Sequence, residues 1–355
     1  MANNVIVLTG GGTAGHVIPN LNLIPLLRDK FDKIIYIGSI NGIEHELISA
    51  YPEVEYYPIE TVKFRRSLSP KNLLIPFKLI KGKRQARNIL SKIEPAVIFS
   101  KGGYVAVPVA LASKKLHIPL IAHESDYSLG LANKIAARSA NVICTTFKDT
   151  ADRLNNGIYV GPPLKNTEIS TAEKQRVRQM YNLTSDKPLC LVVGGSLGAN
   201  SVNNAVWGAL ENLLKTHQVL HITGKGKKNP DIKQNGYTQV EFINNMPAVL
   251  ELADVAITRG GSNAIFEILA HGIPMIIIPL SKGSRGDQVE NALYFEKQGY
   301  ALTLMEPELS SDNLYKTFRT LLTRAALMRA NTKYAVPRDS LDKIVSCIMK
   351  YSSAH

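Results

Sequence analysis

The chain has 355 residues, beyond the size at which a single hydrophobic core usually stops growing, so two domains are the default. Hydrophobic residues make up 45% and charged residues 20%, which excludes a disordered or fibrous chain. Lys and Arg number 42 against 29 Asp and Glu, and the net +13 points to an anionic partner: nucleic acid, an acidic membrane surface or a phosphorylated ligand.

The chain starts MANNVIVLTGGG, running straight into a strand and a glycine turn, without the basic and apolar regions of a signal peptide. Buried strands are read at Val5-Ile6-Val7-Leu8, Lys33 to Ile37, Ala96 to Phe99, Leu120 to Ala122 and Val142 to Cys144. Between them lie helical spacings such as Val17, Leu21, Ile24 and Leu27. The pattern restarts with Leu189 to Val193, Val219 to Ile222, Val240 to Ile243, Asp254 to Ile257 and Met275 to Ile278. Continuous apolar strands alternating with helices predict parallel sheets covered on both faces, so the fold class is α/β: two Rossmann-like doubly wound domains. The polar, turn-rich stretch beginning Gly161-Pro162-Pro163 marks the junction. The expected division is therefore 1–162, 163–336 and a last amphipathic helix over 337–355 that docks back on a domain. No apolar run reaches the ~18 residues of a membrane-spanning helix, so any membrane contact is expected to be peripheral. Cys144, Cys190 and Cys347 are odd in number and far apart, and the apolar neighbours of the first two fit buried free thiols, as expected in a reducing cytoplasm.

Ligands of open α/β sheets bind outside the carboxyl ends of the strands, and four glycine loops fall there. They are Thr9 to His16, Ser100-Lys101-Gly102-Gly103-Tyr104, Gly194 to Asn200 and Thr258-Arg259-Gly260-Gly261-Ser262-Asn263. Glycine lets backbone approach a ligand, and a helix N-terminus favours negative charge. Gly10, Gly12 and Gly15 match G-x-G-x-x-G, but a dinucleotide site also needs an acid about 20 residues on, and Ile35 to Ser39 supplies none. Each loop alone could be a tight turn; four together favour one shared anionic ligand between two facing domains. At the fourth loop, Arg259 adds charge, and Glu267 can accept two hydrogen bonds from a ribose diol or be an ordinary solvated helix residue.

GGGTAGHVIPNL, SKGGYVAVP, AHESDYSLGLANK, GGSLGAN, FINNM and TRGGSNAIFEILAHGIPMIIIPL with DQVENA, in that order over residues 5 to about 300, resemble the MurG-type enzymes. These are UDP-GlcNAc:lipid I N-acetylglucosaminyltransferases of bacterial peptidoglycan synthesis with the GT-B fold; the last helix could dock on either domain, the first among them. The resemblance implies a donor site formed by the Ile243 backbone on uracil, Ser196 and Ser262, Asn263, Ala264, Ile265 and Phe266 on the diphosphate, with Arg259 nearby and Glu267 on the ribose. It implies Gln288 and Asn291 on the sugar, and Thr13, Ala14 and Gly15 facing sugar and diphosphate from the first domain. Gly12, His16, Gly102, Gly103, Tyr104, His123 and Glu124 would line the acceptor side. Asp126 stands where an Asn is expected near the acetamido group, and Lys165 replaces an Arg, keeping charge but losing the bidentate fork. Leu197 replaces a Gln and Ala14 a Gly.

The implied reaction is an inverting single displacement. His16, at a helix start, is one candidate base; His123 and Glu124 are its rivals, since neighbours on a strand point apart and at most one need face a ligand. No D-x-D or zinc spacing occurs, so no cofactor or obligatory metal is expected, with UDP-GlcNAc as donor substrate. From Lys63 to Lys92 there are ten basic residues and no acid, threaded with apolar ones. Leu73, Leu74, Ile75, Phe77, Lys78, Leu79, Ile80, Lys81 and Arg84 fit an interfacial site on anionic lipid; the alternative is a core-facing helix with a solvated basic rim. Scarce aromatics disfavour nucleic acid. The implied partners are lipid I, an anionic membrane at its cytoplasmic face and cell-wall synthesis or division proteins. The competing classes are another GT-B enzyme, such as a diacylglycerol glycosyltransferase or UDP-GlcNAc 2-epimerase, and a nucleotide-binding module without catalysis.

Overall fold

A computed structural model describes residues 4–62, 75–195, 198–281, 286–332 and 335–353. The chain divides into two compact units, residues 1–165 with 337–355, and residues 166–336.

Unit 1 runs β1 (Val5–Thr9), α1 (Ile18–Leu27), β2 (Lys33–Ser39), α2 (Ile43–Ile48), β3 (Val54–Ile59), α3 (Ile75–Ile93), β4 (Val97–Ser100), α4 (Ala106–Leu116), β5 (Leu120–Glu124), α5 (Leu131–Ala136), β6 (Val142–Thr145), α6 (Lys148–Asp152) and β7 (Gly157–Tyr159). Its sheet order is β3-β2-β1-β4-β5-β6-β7, parallel throughout. Unit 2 runs α7 (Thr171–Met180), β8 (Leu189–Val193), α8 (Asn200–Leu213), β9 (Gln218–Ile222), β10 (Tyr237–Val240), α9 (Met246–Leu250), β11 (Val255–Arg259), α10 (Ser262–Ala270), β12 (Met275–Ile278), α11 (Asp287–Lys297), β13 (Ala301–Thr303) and α12 (Ser311–Thr332). Its order is β10-β9-β8-β11-β12-β13, also parallel. The last helix, α13 (Ser340–Ser352), belongs to unit 1.

Central strands such as β1 and β8 are apolar at nearly every position because helices cover both faces of each sheet, leaving no wet face to encode. In unit 1, Ile344, Val345 and Ile348 of α13 pack with Leu23, Ile24, Leu27, Phe99 and Ile121. Each such buried side chain contributes ~1.5–3 kcal/mol, enough to hold a 13-residue helix far from its neighbours in sequence. Cys144 and Cys347, 203 positions apart in the sequence, meet in this same core. In unit 2, α8 and α12 cover one face, with Val206, Leu210, Phe318 and Leu321 wholly buried. Entry into unit 2 is set by a capping box: Ser170 Oγ accepts from Glu173 N at 3.2 Å, and Ser170 N donates to Glu173 Oε2 at 3.0 Å.

Two readings of the sequence need correction. The strand placed at 240–243 is Tyr237–Val240, and Phe242 beyond it is 70% exposed. β3, β7 and β13 have no counterpart among the expected strands.

Candidate active site

In each sheet the strand order reverses once, between β1 and β4 in unit 1 and between β8 and β11 in unit 2. At such a point neighbouring crossover helices leave in opposite directions and a crevice opens beyond the carboxyl ends. The four glycine loops fall in pairs on these two switch points.

In unit 1 the loops after β1 and β4 are packed backbone on backbone. Lys101 N donates to Thr9 O at 2.9 Å. A Cβ at Gly103 (φ +77°) would lie 2.3 Å from Gly11 O, and one at Gly12 (φ +87°) would lie 2.3 Å from the Tyr104 ring. Only glycine permits this approach. From below, Tyr36 OH donates to Gly10 O at 2.6 Å, and Asn20 Nδ2 to Thr9 O at 3.2 Å. The short 3-10 turn Ala14–His16 then presents His16, whose Nδ1 is 2.8 Å from Thr13 Oγ1. Thr13 is exposed, and Ala14, Gly15 and His16 are half-buried.

A residue missed in the sequence alters the reading of this loop. Glu44, fully buried in α2, accepts from Gly12 N at 3.1 Å, from Ser39 N at 3.0 Å and from Ser39 Oγ. The amide of Gly12, read as part of the acceptor side, thus already serves an internal carboxylate. The signal was an acid in the first turn after β2, but its partner lies 32 residues away.

His123 and Glu124 also need correction as acceptor-lining or catalytic groups. The His123 ring is wholly buried, with the Gly161 backbone as its polar neighbour. Burial, then the nearby Lys101 charge, holds its pKa well below the usual imidazole range. Glu124 is 5% exposed and accepts from Asp126 N at 3.0 Å, Gly130 N at 2.8 Å and Asn133 Nδ2 at 2.9 Å. It shapes the loop carrying Asp126. Burial and the Asp126 charge push its pKa up, against those three donors. Gly102, at φ +88°, backs onto the Asn133 amide. Lys101, 1% exposed, donates to Ser125 Oγ; burial pulls its ammonium down to about 8, opposed by Glu124 and Asp126.

In unit 2, α10 starts at Ser262 with Gly261 as N-cap, which has no side chain to cap it. Its first turn, Ser262 to Ala264, lies at the positive helix end that favours an anion, whereas the Ile265 amide already donates to Gly261 O at 3.1 Å. Ile265 and Phe266 turn their side chains into the core. Glu267 is half-buried, and burial raises its pKa to about 7. Ile243 is 4% exposed, so only its backbone can serve a base edge. Gln288 accepts from Leu280 N at 3.0 Å through Oε1. Ser196 lies outside the described residues, and Lys165 is exposed at the end of unit 1.

Two donor-site readings change. Asn291, expected on the sugar, is wholly buried and donates to Gly260 O at 3.0 Å, which props the fourth glycine loop. Arg259 is no free charge for a diphosphate: its Nη2 donates to Glu306 Oε1 at 2.6 Å and Ser201 Oγ at 3.0 Å, and its Nη1 to Ile278 O at 3.2 Å. A polar hollow of 570 Å³ lies away from all these loops, at the amino ends of β8 and β11. Its Arg329 already donates to Asp254 O at 2.6 Å and its Arg178 to Thr184 O at 2.7 Å.

On α3, Phe77 is 71% and Ile80 65% exposed, with Lys78, Lys81 and Arg84 also exposed and Leu79 half-buried. Ile75, read as part of this patch, is instead buried at the helix start. Leu73 and Leu74 lie outside the described residues. Gly82, Ala86 and Leu90 form the inner face; a Cβ at Gly82 would meet Glu60 O at 2.0 Å. No described helix is long and apolar enough to cross a membrane, and no cluster of three His, Cys, Asp or Glu among the described residues could hold a metal.

The glycosyltransferase family 28 N-terminal domain matches residues 6–145, and the family 28 C-terminal domain matches residues 189–343. The UDP-N-acetylglucosamine--N-acetylmuramyl-(pentapeptide) pyrophosphoryl-undecaprenol N-acetylglucosamine transferase of Lachnospira eligens is 44% identical over 348 residues, covering 97% of this chain and 98% of that protein. The transferase of the same name from Geobacillus kaustophilus is 42% identical and covers 97% of each. A crystal structure of MurG from Acinetobacter baumannii superposes with a TM-score of 0.75 at 24% identity, covering 98% of this chain and 99% of that one. That likeness places the fold in the GT-B class. Both domain matches and both relatives span the chain, which belongs to glycosyltransferase family 28.

Proposed function

We propose that this enzyme transfers N-acetylglucosamine from UDP-GlcNAc to the 4-hydroxyl of the MurNAc unit of undecaprenyl-diphospho-MurNAc-pentapeptide, releasing UDP. The observation that carries the reading is the pair of glycine loops at the β8/β11 switch point, leading into the start of α10, in a chain 42–44% identical to transferases of that name over 97% of its length. The acceptor oxygen attacks C1 of the sugar, the bond from C1 to the phosphate oxygen breaks, and UDP leaves with that electron pair, inverting the centre. The hydroxyl proton passes to His16 Nε2. For Nε2 to hold a lone pair, Nδ1 carries the hydrogen and donates to Thr13 Oγ1, the partner seen at 2.8 Å. Negative charge on UDP is met by the α10 amides and helix end.

This chemistry needs no obligatory divalent cation. Turnover in excess EDTA is expected to match turnover in Mg²⁺, and complete loss restored by Mg²⁺ alone would refute that. The decisive assay offers UDP-GlcNAc with a short-chain lipid I analogue, and UDP-glucose with diacylglycerol. Disaccharide formation with the first pair alone supports the proposal. Transfer to diacylglycerol would instead indicate a glycolipid synthase, and UDP-GlcNAc binding without transfer a nucleotide-binding module.

The acceptor lies in a membrane, and α3 offers a way to reach it from the cytoplasmic face. Phe77, Ile80, Lys81 and Arg84 fall at spacings of three and four, on one helix face. Two exposed apolar side chains beside Lys78 and Arg84, with Lys81 paired to Glu60 Oε1 at 3.0 Å, suit an anionic lipid surface, at about 1 kcal/mol per basic residue near it. The protein is expected to sediment with anionic but not neutral liposomes, and Phe77→Ser with Ile80→Ser to weaken this several-fold. Equal sedimentation with both lipids contradicts the assignment.

A further inference from the structure

A helix start can hold a diphosphate only if the loops around it keep fixed relative positions, and three different loops leave the carboxyl edge of unit 2 beside it. A single carboxylate joins them. Glu306 stands in the 3-10 turn Glu306–Glu308 that follows β13. Its Oε1 accepts from Arg259 Nη2 at 2.6 Å and from Ser201 Oγ at 2.8 Å. Its Oε2 accepts from Ser281 N at 3.1 Å and Ser281 Oγ at 3.2 Å. Ser201 belongs to the first turn of α8, Arg259 ends β11, and Ser281 follows β12. The Arg259 and Glu306 side chains are only 11% and 17% exposed, so the pair is shielded as exposed ion pairs are not. Burial alone would push the Glu306 carboxyl up, but donation from Arg259, Ser201 and Ser281 and the Arg259 charge outweigh it and hold it at about 2.

We propose that Glu306 is a positioning residue for the nucleotide-sugar donor, acting through Arg259 and the loops after β8, β11 and β12 without touching the donor. This rests on unit 2 being the UDP-sugar side. On this account the Arg259 charge is used up within the protein, where it fixes the loop leading into Gly260 and α10. The opposite arrangement, in which Glu306 merely withholds Arg259 from the diphosphate, predicts the opposite sign on its removal.

Calorimetric titration of UDP into the full chain separates the two. Glu306→Gln keeps length but loses charge. It is expected to raise the Kd for UDP about tenfold and the KM for UDP-GlcNAc in step, with acceptor KM unchanged and kcat within a few-fold. Because Glu306 acts partly through Arg259, the loss of UDP affinity in the Arg259→Met/Glu306→Gln double variant is expected to be smaller than the product of the two single losses. Should Glu306→Gln fold poorly, Ser281→Ala removes the hydroxyl donor to Glu306 Oε2 while keeping the backbone one, and is expected to raise donor KM two- to three-fold. Unchanged or tighter UDP binding by Glu306→Gln, beside a wild type that binds, overturns the inference alone. A wild-type chain that takes up no UDP overturns the donor reading beneath it.

Discussion

His16→Ala is expected to lower kcat by about 10²–10⁴-fold while leaving the KM for UDP-GlcNAc within a few-fold, the range attributed to general-base catalysis. The reason is the placement of this one imidazole. It ends a 3-10 turn that follows a loop whose Gly10, Thr9 and Gly12 backbone groups are held by Tyr36, Asn20 and Glu44, and its Nδ1 is occupied by Thr13. The rival groups are withdrawn: His123 is enclosed, and Glu124 is committed to three donors. Steady-state kinetics with both substrates varied measures the effect. A variant with normal kcat would remove His16 from the mechanism, whereas a loss confined to acceptor KM would make it a binding residue.

The second large effect is a pH dependence of donor binding. Burial raises the Glu267 carboxyl to about 7, so in the unliganded protein it holds its proton up to near-neutral pH. A ribose diol donates two hydrogen bonds and needs the ionised form as acceptor. Donor affinity is therefore nearly full only by about pH 8 and falls as pH drops through about 7, roughly tenfold by pH 6 relative to pH 8. UDP-GlcNAc is the ligand to use, because its diphosphate is a diester and does not titrate in this window, unlike the terminal phosphate of UDP. Glu267→Gln cannot ionise and is expected to bind weakly and with a flat pH profile. An equally steep profile in that variant would place the titrating group elsewhere.

Much of the fold was legible because its central strands are buried on both faces. Leu189–Val193 and Met275–Ile278 could be read residue for residue as apolar runs. Edge strands carry no such mark. β3 interleaves Glu55 and Pro58 with its apolar residues, and β7 and β13 are three residues long. β10 is half-buried throughout, so the more apolar Phe242 and Ile243 drew the reading forward onto a loop. The glycine loops were visible since glycine is the local requirement for a tight approach. What holds those loops was not: Glu44 meets Gly12 across 32 positions, Glu306 meets Arg259 across 47, and Asn291 meets Gly260 across 31. Such pairings are set by the topology of the sheet and leave no periodicity or spacing behind. The same blindness made His123 and Asn291 look available when both are interior.

The account stands on the nucleotide lying at the β8/β11 switch point of unit 2. Amide hydrogen exchange with and without saturating UDP reads this directly. Slowed exchange is predicted over Arg259–Glu267 and around Ile243, with little change in the Gly10–His16 turn or around Asp254 and Arg329 at the opposite edge of the sheet. Protection centred on that opposite edge, or on the first glycine loop alone, would contradict it.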